Sequence, residues 1–119
     1  MKGDKISASR KINRVFVDEI IAIAEARAIE NGTNKKTFTR HKCAINACES
    51  VLGMSRDKIY KPGVWLKFSQ HAISSTAISN MKFIAAILEW ASGKDEYADK
   101  ELYKKTADAI RQACAIRGE

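Results

Sequence analysis

The sequence has one proline, three cysteines and no long apolar run in 119 residues. Each scarcity excludes something. A chain with so few structure breakers, and with apolar residues recurring at helical spacing, predicts helices in place of strands and turns. Cys43, Cys48 and Cys114 are odd in number and share no repeating interval, so they read as reduced, mostly buried thiols and not as a disulfide framework. No window approaches the ~18 apolar residues of a membrane span. The polar opening Met1-Lys2-Gly3-Asp4-Lys5 is not followed by the apolar stretch of a secretory signal, and the expectation is a cytoplasmic protein with no membrane association. Glycine-rich phosphate loops, a glycine-flanked serine and a carboxylate pair with an obvious task are all missing, so the chain reads as a non-enzyme without a cofactor. His41, Cys43 and Cys48 stand two and five residues apart, on different sides of a helix and without a second ligand cluster, which is not a metal-binding spacing.

Positive charge is abundant, and it is segregated. Lysine and arginine total 21 against 14 acids, a formal charge of +7. Residues 1–14 hold Lys2, Lys5, Arg10, Lys11 and Arg14 against Asp4 alone, whereas residues 15–34 are net acidic. Residues 35–67 hold Lys35, Lys36, Arg40, Lys42, Arg56, Lys58, Lys61 and Lys67 against Glu49 and Asp57. From residue 68 onward, acids and bases balance. A basic tail alone suits a solvated surface, but a tail with a separate interior basic block is the footprint expected of a face for a polyanion.

Periodicity predicts an all-α protein, a compact bundle of about five helices, with residues 1–9 as a flexible basic arm and residues 10–119 as one helical domain. The first helix runs from Ser9 or Arg10 to Glu30, with Ile12, Phe16, Ile20 and Ile23 in one stripe, Val17, Ile21, Ala24 and Ala28 beside it, and Asn31-Gly32 as its stop. A second begins at Thr37 or Thr39 and runs to Gly53, with Phe38, His41, Ala44, Ile45, Cys48, Val51 and Leu52 on its apolar side. Ser55 caps a short third helix that must end by Pro62-Gly63. Residues 59–68 fit either a helix with Pro62 in its first turn or a small hairpin, and the helix is favoured. A broad central helix starts at Ser74, Ser75 or Thr76 and stops at Ser92-Gly93. The last starts at Asp95 or Asp99 and runs to Ile116, with Leu102, Tyr103, Thr106, Ile110, Ala113 and Cys114 inward.

Within residues 37–61, Leu52-Gly53 followed by Ser55 and Ile59 resembles the latter half of a helix-turn-helix DNA-binding motif. In that motif an apolar residue and a glycine end the supporting helix, a short polar residue caps the next, and an apolar residue pins the recognition helix. The resemblance implies that Ser55, Arg56 and Lys58 open a recognition helix, with Arg56 reading guanine. It also implies that Lys35, Lys36, Arg40 and Lys42 contact phosphates. Lys61 and Lys67 extend the basic block, and Arg10 and Lys11, at the start of the helical domain, are candidate nucleic-acid contacts beside an arm of the kind that enters a minor groove. Two positions depart from the motif: Glu49 stands where a small residue is expected, and Pro62 cuts the recognition helix short.

The leading expectation is therefore a small regulator or accessory factor that binds double-stranded DNA. Dimerisation through Tyr103, Ile110 and Cys114 would add base contacts, although the same residues suit an intramolecular core. A second expectation is a non-enzymatic inhibitor or adaptor docking its basic face on an acidic protein or nucleoprotein complex. A third is single-strand binding through Tyr60, Trp65 and Phe68, against which the shared helix face of Trp65 and Phe68 argues for core packing.

Overall fold

The structure, a computed structural model, describes residues 14–54, 57–70 and 74–118. The expected arm, residues 1–9, lies outside the described residues, as do Arg10, Lys11 and Ile12 of the expected first helix, and Ser55, Arg56 and His71. Six helices and no strand are found among the described residues: α1 (Arg14–Asn31), α2 (Lys35–Ala47), α3 (Glu49–Leu52), α4 (Pro62–Gln70), α5 (Ser74–Ser92) and α6 (Lys100–Gly118). The chain is all-α, as its periodicity predicts.

Helix α1 buries Phe16, Val17, Ile20, Ile23, Ala24 and Ala28, all from the two predicted stripes. Its end is a Schellman motif: the Thr33 amide donates to the Ala28 carbonyl, the Gly32 amide to Ile29, and Gly32 takes a left-handed φ of 68°. An L side chain at that φ is strained, so glycine is the residue the turn needs. The turn delivers Asn34 in extended backbone, and its side chain accepts a hydrogen bond from the Thr37 amide at 2.9 Å. Asn34 thus caps α2, and the expected threonine caps are corrected. Thr39, one turn inside, donates its hydroxyl back to the Lys35 carbonyl.

The long second helix predicted to reach Gly53 is broken at Cys48. There the backbone leaves helical geometry, the Cys48 amide bonds back to Ile45, and a single turn, α3, follows in a new direction. Cys48, Val51 and Leu52 all reach the core, while Glu49 turns outward to Arg14, whose guanidinium meets it at 2.7 Å.

Helix α5 is the centre of the bundle, packing against α1, α2, α4 and α6, with α6 its most extensive partner. It buries Ala77, Met81, Ile84, Ala85, Ile87, Leu88 and Ala91. Helix α6 contributes Tyr103, Thr106, Ala107, Ile110, Ala113 and Cys114, following the predicted face but beginning at Lys100, after the Asp99 carbonyl accepts the Tyr103 amide. Tyr103, Ile110 and Cys114 are buried in the core of one chain, the intramolecular one of the two uses expected of them.

Exposed ion pairs tie the helices from outside. Glu30 at the end of α1 accepts from Trp90 Nε1 and from Lys94 Nζ, and these two bonds hold its carboxyl below its ordinary 4.5. Glu89 of α5 is gripped by the Arg111 fork at 2.8 and 3.0 Å, which lowers its pKa in the same way. A carboxylate whose pKa is lowered by folding contributes stability that is full above its unfolded value and is lost as pH falls through the folded one. Thermal midpoints should therefore fall as the pH drops below 4.5, where both carboxylates start from their ordinary value. The drop should be shallower in a Glu30→Gln/Glu89→Gln variant, a comparison made by circular dichroism melts across that range.

Candidate nucleic-acid interface

Helix α2 is a peripheral helix with an unusual balance of faces. Of its 13 residues only Ile45 is fully buried; Phe38, His41 and Ala44 sit half-buried beside it. The rest of the surface, including Lys35, Lys36, Thr39, Arg40 and Cys43, is open to solvent. What seats the helix is a node around Phe83 of α5. The His41 ring lies 4.1 Å from the Phe83 ring, and the Arg27 guanidinium of α1 lies 5.8 Å from the same ring. Burial, and then the Arg27 charge, push the His41 pKa below its ordinary 6.5. Its imidazole is accordingly neutral at pH 7, a packing group and not a fifth cation.

The open face carries charge that local folding does not explain. Lys35 and Lys36 stand in the first turn, which has no acid, where the helix dipole disfavours positive charge by about 0.3–1 kcal/mol each. Neither they nor Arg40 has an ion-pair partner among the described residues, whereas Arg14, Lys94, Lys100 and Arg111 each meet a carboxylate. Lys42 differs from its neighbours: its ammonium lies 5.3 Å above the Phe38 ring and is half-buried against the helix body.

The other predicted cations fall in a second group. Residues 57–60 form turns, so the short helix expected between Ser55 and Lys61 is corrected over its described part. Pro62 is the physical reason, because it lacks the amide that would continue a helix and drives the preceding residue out of helical backbone. Instead the Lys61 amide closes a four-residue turn on the Lys58 carbonyl, and Pro62 opens α4, the favoured one of the two alternatives for residues 59–68. Lys58, Lys61 and Lys67 are exposed. Lys67 sits in the last turn of α4, where the dipole favours it, so its place has a local reason. Lys58 and Lys67 line one groove, whereas Lys35, Lys36 and Arg40 lie on α2, a helix that does not pack against α4.

Trp65 is fully buried and donates from Nε1 to the Ile59 carbonyl at 2.6 Å, which makes it a core residue and not a base-stacking platform. Tyr60 is exposed, with the Lys105 ammonium 5.8 Å from its ring. Glu49, which departs from the helix-turn-helix pattern, has its explanation in Arg14. The apolar groove beside Lys58 was not foreseen; its one sequence signal is Met54, an apolar residue in a turn just after Gly53. Among the described residues no cluster of three or more His, Cys, Asp or Glu is arranged to hold a metal, and no helix is long and apolar enough to cross a membrane.

Two measurements follow from this geometry. Trp65→Phe removes the indole donor and leaves the Ile59 carbonyl without its partner, at an expected cost of about 1–3 kcal/mol in urea unfolding. Cys43 is exposed on α2, while burial pushes the Cys48 thiol up to about 12 and raises that of Cys114. A disulfide reagent near neutral pH should titrate Cys43 quickly and reach the other two only after denaturation. Comparison with protein-family models, with curated proteins and with solved structures finds no match to this chain, so the functional reading rests on its own residues.

Proposed function

We propose that the protein binds double-stranded DNA, as a regulator or accessory factor, by laying the exposed face of α2 against the duplex. One observation carries the reading: Lys35, Lys36 and Arg40 share the open face of a peripheral helix without carboxylate partners among the described residues, and the first two stand against the local dipole. Charge placed where it costs folding free energy is better accounted for by a bound polyanion than by solubility, which any other surface position would serve.

The dimensions agree with this use. A helix with its side chains is about 10–12 Å across and a major groove about 12 Å wide, and α2 is held to the body along one side only. Lys35 and Lys36 at its first turn would contact phosphates and set orientation. Arg40, one turn further along the same face, has the planar fork that reads guanine N7 and O6. Thr39 and Asn46 add short polar groups to the exposed side. In this reading α2, which the helix-turn-helix resemblance makes the supporting helix, is itself the contacting helix, because the segment after Gly53 offers no recognition helix over residues 57–60.

Fluorescence anisotropy of a labelled mixed-sequence duplex at about 50 and 200 mM salt tests the proposal. Binding should be detectable at the lower salt and fall steeply at the higher. A Lys35→Ala/Lys36→Ala/Arg40→Ala variant should bind more weakly at both, with the slope of log K against log salt shallower by about 0.9 for each phosphate that is no longer neutralised. Arg40→Ala alone should flatten the preference among duplexes of different sequence. A wild type that does not bind at the lower salt, or a triple variant that binds equally well, overturns the reading. In that case an acidic protein surface is the partner the same face fits.

A further inference from the structure

Between the turn at residues 57–60, α3 and α4 lies a groove of about 500 Å³. Its walls are apolar: Val51 from α3, Met54 from the turn that follows, and Val64 and Phe68 one helical turn apart on α4. Val51 is buried, Val64 and Phe68 are half-buried, and Met54 is 41% exposed, so the groove opens from core to solvent along a continuous apolar floor. Two lysines line it as well, Lys58 from the turn and Lys67 from α4, together with Ser50. Among the described residues neither lysine has an ion-pair partner and no acid lines the groove.

The arrangement is held by the core. The Trp65 indole bonds to the Ile59 carbonyl, and Ile59 is itself fully buried, so the turn carrying Lys58 is fixed to the helix carrying Lys67. Lysines beside apolar surface commonly lay their stems across it and cover it. Here the groove stays open although both lysines line it.

We infer that this groove, which Lys58 and Lys67 line together with Val51, Met54, Val64 and Phe68, is a binding site for a small amphiphilic carboxylate with an aliphatic body. The volume falls within the range of small-molecule pockets, and an apolar lining with a few convergent polar groups is their usual make-up. The charge decides the head group: two cations with no carboxylate of their own complement an anion. The apolar floor decides the body, since a free inorganic anion would leave it bare. A nucleobase is disfavoured because the described lining offers one hydroxyl and no amide or carboxylate side chain to read a base edge. An extended peptide is disfavoured because every described lining residue comes from one short stretch, residues 50–68.

The site does not depend on the DNA reading, because none of the α2 cations lines it. Sodium octanoate and 1-octanol, which share a tail and differ in charge, are the probes. Titration of the full chain, followed by amide ¹H–¹⁵N shifts, should place the changes produced by octanoate at residues 50–54 and 58–68. Lys58→Gln/Lys67→Gln should weaken octanoate about tenfold or more and leave 1-octanol unchanged, since removal of a charge-assisted hydrogen bond acts on the anion alone. Both lysines are exposed, so the variant keeps its fold, and an unchanged melting curve checks that. Lys35→Ala/Lys36→Ala/Arg40→Ala should bind octanoate as the wild type does. The inference is overturned if octanoate at millimolar concentration shifts no groove residue, if the lysine variant binds it equally well, or if sedimentation shows the groove closed by a second copy of the chain.

Discussion

The hydrogen bond from the Trp65 indole to the Ile59 carbonyl does more than satisfy two buried groups. Trp65 is the largest fully buried side chain, and Ile59, six residues earlier, is buried as well. A carbonyl in a turn of the core cannot be left without a donor, because stripping its water costs as much as the bond returns. By filling that need from α4, the indole fixes the position of the whole 57–60 turn, and with it the direction in which the chain passes from α3 to α4. Pro62 keeps the turn from continuing as helix, since it has no amide to donate to the Lys58 carbonyl, which accepts the Lys61 amide instead, and the indole serves Ile59.

A second constraint organises the opposite side. Helix α5 touches four others, so its width must be apolar almost all round, and its composition follows. Phe83, on the margin of that apolar arc, is half-buried and takes His41 from α2 and Arg27 from α1. The same aromatic ring thereby joins three helices. The cationic face of α2 is presented outward because its opposite side is occupied by this stack and by Ile45.

Much of the fold can be read from periodicity, because periodicity reports which face of a helix is buried. The inward residues of α1, α5 and α6, the stop at Asn31-Gly32 and the helix opened by Pro62 all follow from it. What periodicity does not report is the identity of a distant partner. Glu49 breaks a motif when read locally and makes sense only beside Arg14, 35 residues away. The break at Cys48 keeps the same apolar residues inside as an unbroken helix would, so the pattern gives no sign of it. Asn34 competes with Thr37 and Thr39 for the cap, and the winner is set by the left-handed turn at Gly32. Of the predicted basic residues, Lys35, Lys36 and Arg40 stand together on one helix face; Lys58 and Lys67 belong to a groove whose apolar walls no single helical stripe contains.

The seat of α2 has a kinetic side. A helix that buries one side chain completely and rests otherwise on a half-exposed stack forfeits little apolar burial when it lifts away. Opening of α2 should therefore be a local event, well below the free energy needed to unfold the α5–α6 pair, and the linker residues Thr33 and Asn34 are short enough to keep it tethered. Protection of its amides would then measure how tightly the stack on Phe83 holds, independently of the stability of the bundle beneath.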